Sequence, residues 1–531
     1  MRTRDGVRLV ASIWRPVEGG PYPVLLMRQP YGRAIASTVT YAHPSWYASR
    51  GYVVVIQDVR GRGDSDGRFD MLAQEVADGA DTLDWASRLP GTTGAVGMYG
   101  FSYQGMTQLF AASSRHPALK ALAPAMLAYD IRDDIAYENG ALRLNGVMGW
   151  AIQLAAEGAR HAGDAAAQEA LFAASRHLPV NGAVPAWPDV IGRFGHYGHY
   201  PDWLDHPEPG PFWDRISPRS YLAGVDLPML HIGGWFDGML SGTLACHRAL
   251  AGATSTQKLR IGPWVHIPWS RRVGDVDFGP AADSAMDRLQ LRWFDHWLKG
   301  IDTGVMAEPD ISLFEMGGGR WRDFAAWPAP VPRALYLASG GLAGMTPVDG
   351  TLAAAPGAPG EDRIVLDPWR PTPSLGGHAG YPGGPIDRAA LDGRSDVATY
   401  TTPALARDLH LAGDVAAEIA CSADQPSHDL SLVLSDVRPD GRVIPLTQSH
   451  VRIDRAAEIV RVPMRALCAK VAAGHALRLS IAAAAFPAYE LNGGTGARGR
   501  AARAVDQRVT TVAIRHGRAS PSRLLLPVAE G

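Results

Sequence analysis

Gly100-Phe101-Ser102-Tyr103-Gln104-Gly105 sets a serine two residues after one glycine and three before another. The string follows an apolar, strand-like run at residues 96–99. It opens a helical period in which Tyr103, Met106, Thr107 and Phe110 share a face. Small residues on either side let the chain turn sharply, so the Ser102 hydroxyl would stand at the strand's carboxyl end beside a helix N-terminus. The N–H of Tyr103 would then point where an oxyanion forms. The common nucleophile elbow has its second glycine two residues after the serine; here it is three. An ordinary strand–helix turn containing a serine would give the same string, so partners must decide.

A serine hydroxyl is a poor nucleophile without a base, and the base needs an acid to fix its tautomer. In the chain order Ser…Asp…His, the acid should follow a late strand and the histidine the next one. Asp237 lies in Gly233-Gly234-Trp235-Phe236-Asp237-Gly238, just past the apolar run 228–232. His266 lies in Gly262-Pro263-Trp264-Val265-His266, just past the run 259–261. Of 17 histidines, His266 alone meets both the order and the strand-end position; His296 meets the order only, on a helix face where packing is the simpler role.

Other candidates carry less. Gly61-Arg62-Gly63-Asp64-Ser65-Asp66-Gly67 lacks the Lys-Ser/Thr of a P-loop and the twelfth-position glutamate of a calcium loop; a tight loop on the catalytic rim is expected. His196, His199, Asp202, Asp205 and His206 crowd one stretch, but their spacing matches no common metal site. Asp133 and Asp134 read as helix-start or surface charges. No metal or organic cofactor is required by the chemistry.

The elements that must position these residues alternate two periods. Apolar runs at 24–27, 52–56, 96–99 and 121–125 read as buried strands, and helical stripes at 72–89 and from 103 read as helices between them, which gives a mostly parallel sheet covered on both faces. Ala-rich helical text (151–174) and loops dense in Trp, Tyr, His and Pro (186–213) follow, as an insertion. The pattern resumes at 228 and ends with an amphipathic helix over 284–299, stopped by Gly300. Beyond Pro309, alternating runs at 409–419, 429–437, 443–453, 477–484 and 509–514 read as an all-β sandwich. The division expected is therefore 1–125 and 221–308 for an α/β body, 126–220 for an inserted helical cap and 309–531 for a C-terminal β-sandwich.

Composition sets the outer bounds. At about 100–200 residues per domain, 531 residues suit roughly three domains, and 46% apolar with 20% charged residues excludes a disordered chain. A net charge of −2 gives no field for nucleic acid and no polybasic membrane address. Three scattered cysteines give no disulfide framework. Without an apolar run of about 18 residues or a signal-like start, no membrane span is expected, and the cytoplasm is the expected compartment. A homodimer is compatible with this reading.

Taken together, Arg4-Asp5-Gly6-Val7-Arg8-Leu9, Arg28-Gln29-Pro30-Tyr31, Asp58-Val59-Arg60-Gly61-Arg62-Gly63, the Ser102 string, Gly234-Trp235-Phe236-Asp237 and Gly262-Pro263-Trp264-Val265-His266 resemble the cocaine-esterase-like (CocE/NonD) hydrolases. Asp367-Pro368, Gly376-Gly377 and Phe486-Pro487 extend the likeness to the C-terminal part. X-prolyl dipeptidyl aminopeptidases, glutaryl acylases and α-amino-acid ester hydrolases are relatives of that family. The resemblance implies an α/β-hydrolase body with an inserted helical cap and a C-terminal jelly roll. It implies Ser102 as nucleophile, His266 as base then acid, Asp237 as orienting carboxylate, and Tyr31 as a phenolic oxyanion donor beside the Tyr103 N–H; without it, Tyr31 reads as a half-buried aromatic after a strand.

One branch of the family surrounds a substrate ammonium with carboxylates, including a pair soon after the triad acid. Here Asp237 is followed by Gly238-Met239-Leu240, and Asp134 is the single carboxylate left as a candidate to supply a charge from the cap. A neutral or apolar acyl group is therefore expected, lined by Trp150, Trp235, Phe236 and Met239, although these side chains could equally be packing. The expected activity is cleavage of a small carboxylic ester. Amide cleavage by an acylase or X-prolyl dipeptidyl peptidase, and acyl transfer, use the same groups. A degenerate hydrolase body kept for binding is the non-enzymatic alternative.

Overall fold

Strands buried on both faces should be continuously apolar, and the N-terminal runs fold that way. The computed structural model describes residues 1–34, 38–455 and 457–530. Among these, β1 (Ala11–Trp14), β2 (Tyr22–Gln29), β3 (Val53–Asp58), β4 (Thr92–Phe101), β5 (Leu119–Ala125), β6 (Met229–Phe236), β7 (Gln257–Val265), β8 (Ile311–Glu315) and β9 (Arg320–Phe324) form one sheet, in the order β1-β3-β2-β4-β5-β6-β7-β8-β9. β2 through β8 pair in parallel; β1 and β9 close the two edges antiparallel.

The period of two sends alternate side chains to opposite faces. Val24, Leu26, Val53, Val55, Val96 and Met98 pack in one cluster with Leu83, Met106, Leu109 and Phe110 of the helices Glu75–Ser87 and Tyr103–Ser113. Leu25, Met27, Val54, Ile56 and Tyr99 pack on the other face with Trp293 and Phe294 of the helix Met286–Lys299, which ends at Gly300 in the left-handed region. This is the doubly covered parallel sheet that the sequence implies.

The sheet runs further than expected. β8 pairs with β7 (Ile311 opposite Leu259) and β9 with β8, so a boundary after residue 308 would cut two strands from it. Residues 126–220 differ too. The Ala-rich text forms two helices, Leu144–Ala162 and Ala165–Arg176, divided by Gly163 in the left-handed region and capped by the Asp164 carboxylate on the Ala167 N–H at 3.0 Å. The stretch expected as loop holds three short helices, Asp189–Phe194, Tyr200–Asp205 and Pro211–Ile216. Two of them carry proline in the first turn, where its missing N–H costs nothing and a sequence reads as loop.

The C-terminal part is all β. Long antiparallel strands, among them Leu409–Ala423, His428–Val437, Val443–Ile453, Val460–Val471 and Thr510–His516, enclose Leu411, Ile419, Leu430, Leu432, Val512 and Ile514. That core is continuous with Trp235, Phe236, Leu240, Leu259 and Ile261 of the body, so the all-β part lies directly against the late strands of the parallel sheet. Among the described residues, no helix is long and apolar enough to cross a membrane.

Candidate active site

β4 ends at Phe101, and the helix Tyr103–Ser113 begins one residue after Ser102. Ser102 makes that turn with φ 61° and ψ −126°, a backbone region costly for a side-chain-bearing residue and typical of functional sites. Its N–H donates to the carbonyls of Ala125 (3.0 Å) and Met126 (3.1 Å), which pin the strained turn to the neighbouring strand end. The two glycines have separate steric reasons. A Cβ on Gly100, whose φ is +135°, would lie 2.5 Å from Gln104 Cβ, and one on Gly105 would lie 2.8 Å from the Ala125 carbonyl oxygen. The spacing of three is thus set by where the helix's first turn meets β5. The Tyr103 N–H is a first-turn donor without an intrahelical acceptor. Its phenol serves elsewhere, donating to Glu75 Oε1 at 2.8 Å beneath the helix.

Asp237 and His266 follow β6 and β7 at the same carboxyl rim, since Phe236 pairs with Val265. Asp237 is fully buried, and its Oδ1 accepts from His266 Nδ1 at 2.8 Å; Oδ2 has no hydrogen-bond partner among the described residues. A carboxylate at Nδ1 places the ring proton there and leaves the Nε2 lone pair free to accept. The imidazole lies 5.4 Å, centroid to centroid, from the ring of Phe101, the residue before Ser102, and so stands against the elbow. The Trp269 indole N–H anchors the next turn on the His266 carbonyl at 3.1 Å.

Tyr31 comes from the end of β2, on the same rim. Its phenol is hydrogen-bonded to the Ser102 side chain and accepts the Trp150 indole N–H at 3.1 Å. Burial pushes its pKa up to about 12 against the opposing effects of Trp150, Ser102 and the Arg62 charge, so the phenol keeps its proton at neutral pH. Arg62 belongs to the glycine-rich loop read as a tight turn, and Gly61, Gly63 and Gly67 do take positive φ there. Its guanidinium is nonetheless buried, donating to the Leu154 carbonyl at 2.7 Å and lying 3.8 Å over the Phe69 ring, with Nε unpartnered among the described residues. Burial lowers its pKa to about 10, which leaves it cationic near Tyr31. An arginine between two positive-φ glycines was the available signal; the sequence could not say that it points inward.

Of the residues expected to line an acyl pocket, Trp150 reaches the site, as the support of Tyr31. Trp235 and Phe236 do not line it. Both are nearly inaccessible, at 3% and 4%, the Trp235 indole N–H donating to the Phe314 carbonyl at 2.7 Å and the Phe236 ring lying 6.4 Å from that of Phe278. The end of β6 is covered by the all-β part, so these side chains are core. Met239 is half-buried on the cluster that spans body and insertion. Asp134 is not a surface charge: it is buried, its Oδ2 accepts the N–H groups of Tyr129 (2.9 Å) and Asp130 (2.8 Å), and burial raises its pKa. Asp133 is exposed and paired with Arg132. His199 is buried beside Trp150 and Trp203, His206 stacks on Phe212, and no group of three or more metal-ligating side chains converges among the described residues.

A parallel sheet covered on both faces, a strained serine at a strand–helix turn and an acid-backed histidine on the same rim define an α/β-hydrolase of the serine type. Comparison agrees. Residues 5–268 match the X-Pro dipeptidyl-peptidase (S15 family) model, and residues 303–525 match the X-Pro dipeptidyl-peptidase C-terminal non-catalytic domain. The chain is 32% identical to cocaine esterase of Rhodococcus sp. (strain MB1 Bresler), over 99% of this chain and 97% of that one. It belongs to the cocaine-esterase-like (CocE/NonD) serine hydrolase family, within the S15 group. Solved structures that share its fold include an aminopeptidase from a marine sediment thaumarchaeote (TM-score 0.82, 21% identity, covering 100% and 95% of the two chains) and an α-amino acid ester hydrolase (TM-score 0.79, 22% identity, covering 99% and 95%).

Proposed function

We propose that this chain hydrolyses small carboxylic esters with a neutral or apolar acyl group, through an acyl-enzyme on Ser102. The observation that carries the proposal is the buried Asp237 carboxylate on His266 Nδ1 at 2.8 Å, with the same imidazole against the residue that precedes Ser102. His266 Nε2 takes the Ser102 proton as Oγ attacks the ester carbonyl. The tetrahedral oxyanion accepts hydrogen bonds from the Tyr31 O–H and the Tyr103 N–H, two neutral donors already in place before charge develops. His266 returns its proton to the leaving alcohol, and water, activated by the same nitrogen, releases the acid. Trp150 donates its indole N–H to the Tyr31 oxygen and so holds the phenol beside Ser102. Arg62 adds positive potential behind that donor.

Acyl-group polarity follows from the carboxylates. Asp134 is spent on two backbone N–H groups, and the acid's successors Gly238, Met239 and Leu240 are uncharged, so a substrate ammonium would meet no dedicated partner. An ester of a des-amino acid is expected to be cleaved with kcat/KM at least equal to that of its α-amino counterpart. A strong preference for the free amine would contradict the proposal. The kinship with cocaine esterase favours esters, and that with X-Pro dipeptidyl-peptidases names the amide alternative. A p-nitrophenyl ester assayed beside an X-Pro-p-nitroanilide separates the two: faster ester cleavage supports the proposal, and faster anilide cleavage replaces it.

Tyr31→Phe removes one oxyanion donor without changing the ring. It is expected to lower kcat by about 10²–10³-fold with KM nearly unchanged, because the bond strengthens only in the transition state. Unchanged kcat would remove Tyr31 from the oxyanion site.

A further inference from the structure

The turn Asp237-Gly238 is held from two distant parts of the chain. Arg465, on the strand Val460–Val471 of the all-β part, donates from Nη1 to the Asp237 carbonyl at 3.0 Å and from Nη2 to the Gly238 carbonyl at 2.8 Å. Arg143, just before the helix Leu144–Ala162, donates from Nη1 to the same Gly238 carbonyl at 2.8 Å and to the Asp134 carbonyl at 2.7 Å. One counter-ion serves both guanidiniums: Glu138 Oε2 lies 2.9 Å from Arg143 Nη2 and 3.6 Å from Arg465 Nη2. The same oxygen is 2.8 Å from the Tyr489 hydroxyl, which donates to it, and 2.8 Å from His378 Nε2.

The cluster is buried, with side-chain exposures of 8% for Glu138, 9% for Arg143, 8% for Arg465 and 2% for His378. Burial works to raise the Glu138 pKa, but the charges around it outweigh burial and hold it well below the usual carboxylate range. Burial, then the Arg465 charge, pushes the His378 pKa down to about 4, so the ring is neutral at pH 7.

Burying two cations and an anion is expensive, and an apolar cluster of equal volume would often be as stable. What an apolar cluster lacks is direction. A guanidinium presents parallel donors in a rigid fork, and here the fork spans the carbonyls of two consecutive residues. The turn has few internal bonds of its own: Asp237 N–H to the Gly234 carbonyl at 3.1 Å, and Leu240 N–H to the Asp237 carbonyl at 3.3 Å. A displacement of about 1 Å at this turn would loosen the Asp237–His266 bond, and misplacements of that size can cost about 10²-fold in rate.

We propose that Arg465 is a positioning residue for the reaction: through its fork on Asp237 and Gly238, seconded by Arg143 and neutralised by Glu138, the all-β part holds the triad acid against His266. This rests on the reading of Asp237 as that acid. The C-terminal part then completes the active site instead of only packing on it.

The test compares Arg465→Met and Arg465→Lys with Asp362→Asn in the full chain. Asp362 is a buried carboxylate that accepts from Ser339, Tyr400 and the Ala343 N–H, wholly inside the all-β part. Readouts are thermal midpoint, kcat and KM on an ester, and the rate of fluorophosphonate labelling at Ser102. Arg465→Met is expected to lower kcat roughly 10-fold or more with KM within about twofold, and to slow labelling in proportion. Arg465→Lys should recover part of that loss, and Asp362→Asn, whatever it does to the thermal midpoint, should leave kcat within about twofold. Wild-type kcat in Arg465→Met overturns the proposal, as does an equal fall in Asp362→Asn at equal thermal midpoint. Should Arg465→Met not fold, Arg465→Lys decides: reduced kcat at constant KM supports the proposal, and wild-type kcat overturns it. Labelling of Ser102→Ala protein as fast as wild type would instead bring down the triad reading itself, and the proposal with it.

Discussion

Ser102→Ala is expected to reduce kcat/KM for ester hydrolysis by about 10⁴–10⁶-fold while the protein stays folded. The size of the effect follows from the division of labour. Without Oγ there is no acyl-enzyme, and what survives is the weaker help that Tyr31 and the Tyr103 N–H give to direct attack by water. The fold should be spared, because the Ser102 N–H bonds to Ala125 and Met126 are main-chain and persist in the variant. Alanine also inherits the same strained φ of 61° without adding bulk. Rates on purified variant and wild type, with circular dichroism for folding, check this. A variant with a tenth of wild-type activity would mean that another group carries the acyl transfer.

Asp237→Asn should cost about 10⁴-fold in kcat, although it changes only one atom's identity. At present Oδ1 accepts the His266 Nδ1–H at 2.8 Å. An amide nitrogen facing that site would donate, so the ring would move its proton to Nε2 and lose the lone pair that must receive the Ser102 proton. The effect belongs to the tautomer and not to charge alone, so it should shrink at high pH as the ring or the serine is forced to ionise. The double variant Ser102→Ala/Asp237→Asn should be no slower than Ser102→Ala alone, because the two residues act as a unit. Multiplying losses would show that Asp237 serves stability or binding instead.

Features set by local pattern were legible in the sequence. Val53-Val54-Val55-Ile56, a short run rich in β-branched residues, reads as a strand buried on both faces, and the helix stopped at Gly300 announces both its stripe and its end. Ser102, Asp237 and His266 stand out because each chemical residue type follows such a strand in the order the fold demands. What stayed hidden is set by partners far away in sequence. β8 and β9 look like the start of an all-β part, and only pairing with β7 assigns them to the parallel sheet. Trp235 and Phe236 adjoin the acid and so look like pocket walls, but a second layer of protein covers them. Arg465 sits among Met464, Ala466, Leu467 and Cys468 in a strand that also carries Arg461 and Lys470, so the sequence does not mark it as the buried cation, and its targets lie more than two hundred residues earlier. Tyr31 carries no local mark of its role, and the resemblance alone pointed to it.

A crystal structure of the protein after reaction with a phosphonate ester would show directly whether Ser102 is the nucleophile. The expected adduct has phosphorus bonded to Ser102 Oγ, the phosphoryl oxygen within hydrogen-bond distance of the Tyr31 hydroxyl and the Tyr103 N–H, and His266 Nε2 facing Oγ with Asp237 still on Nδ1. An adduct on any other residue, or an imidazole turned away from Ser102, would contradict it.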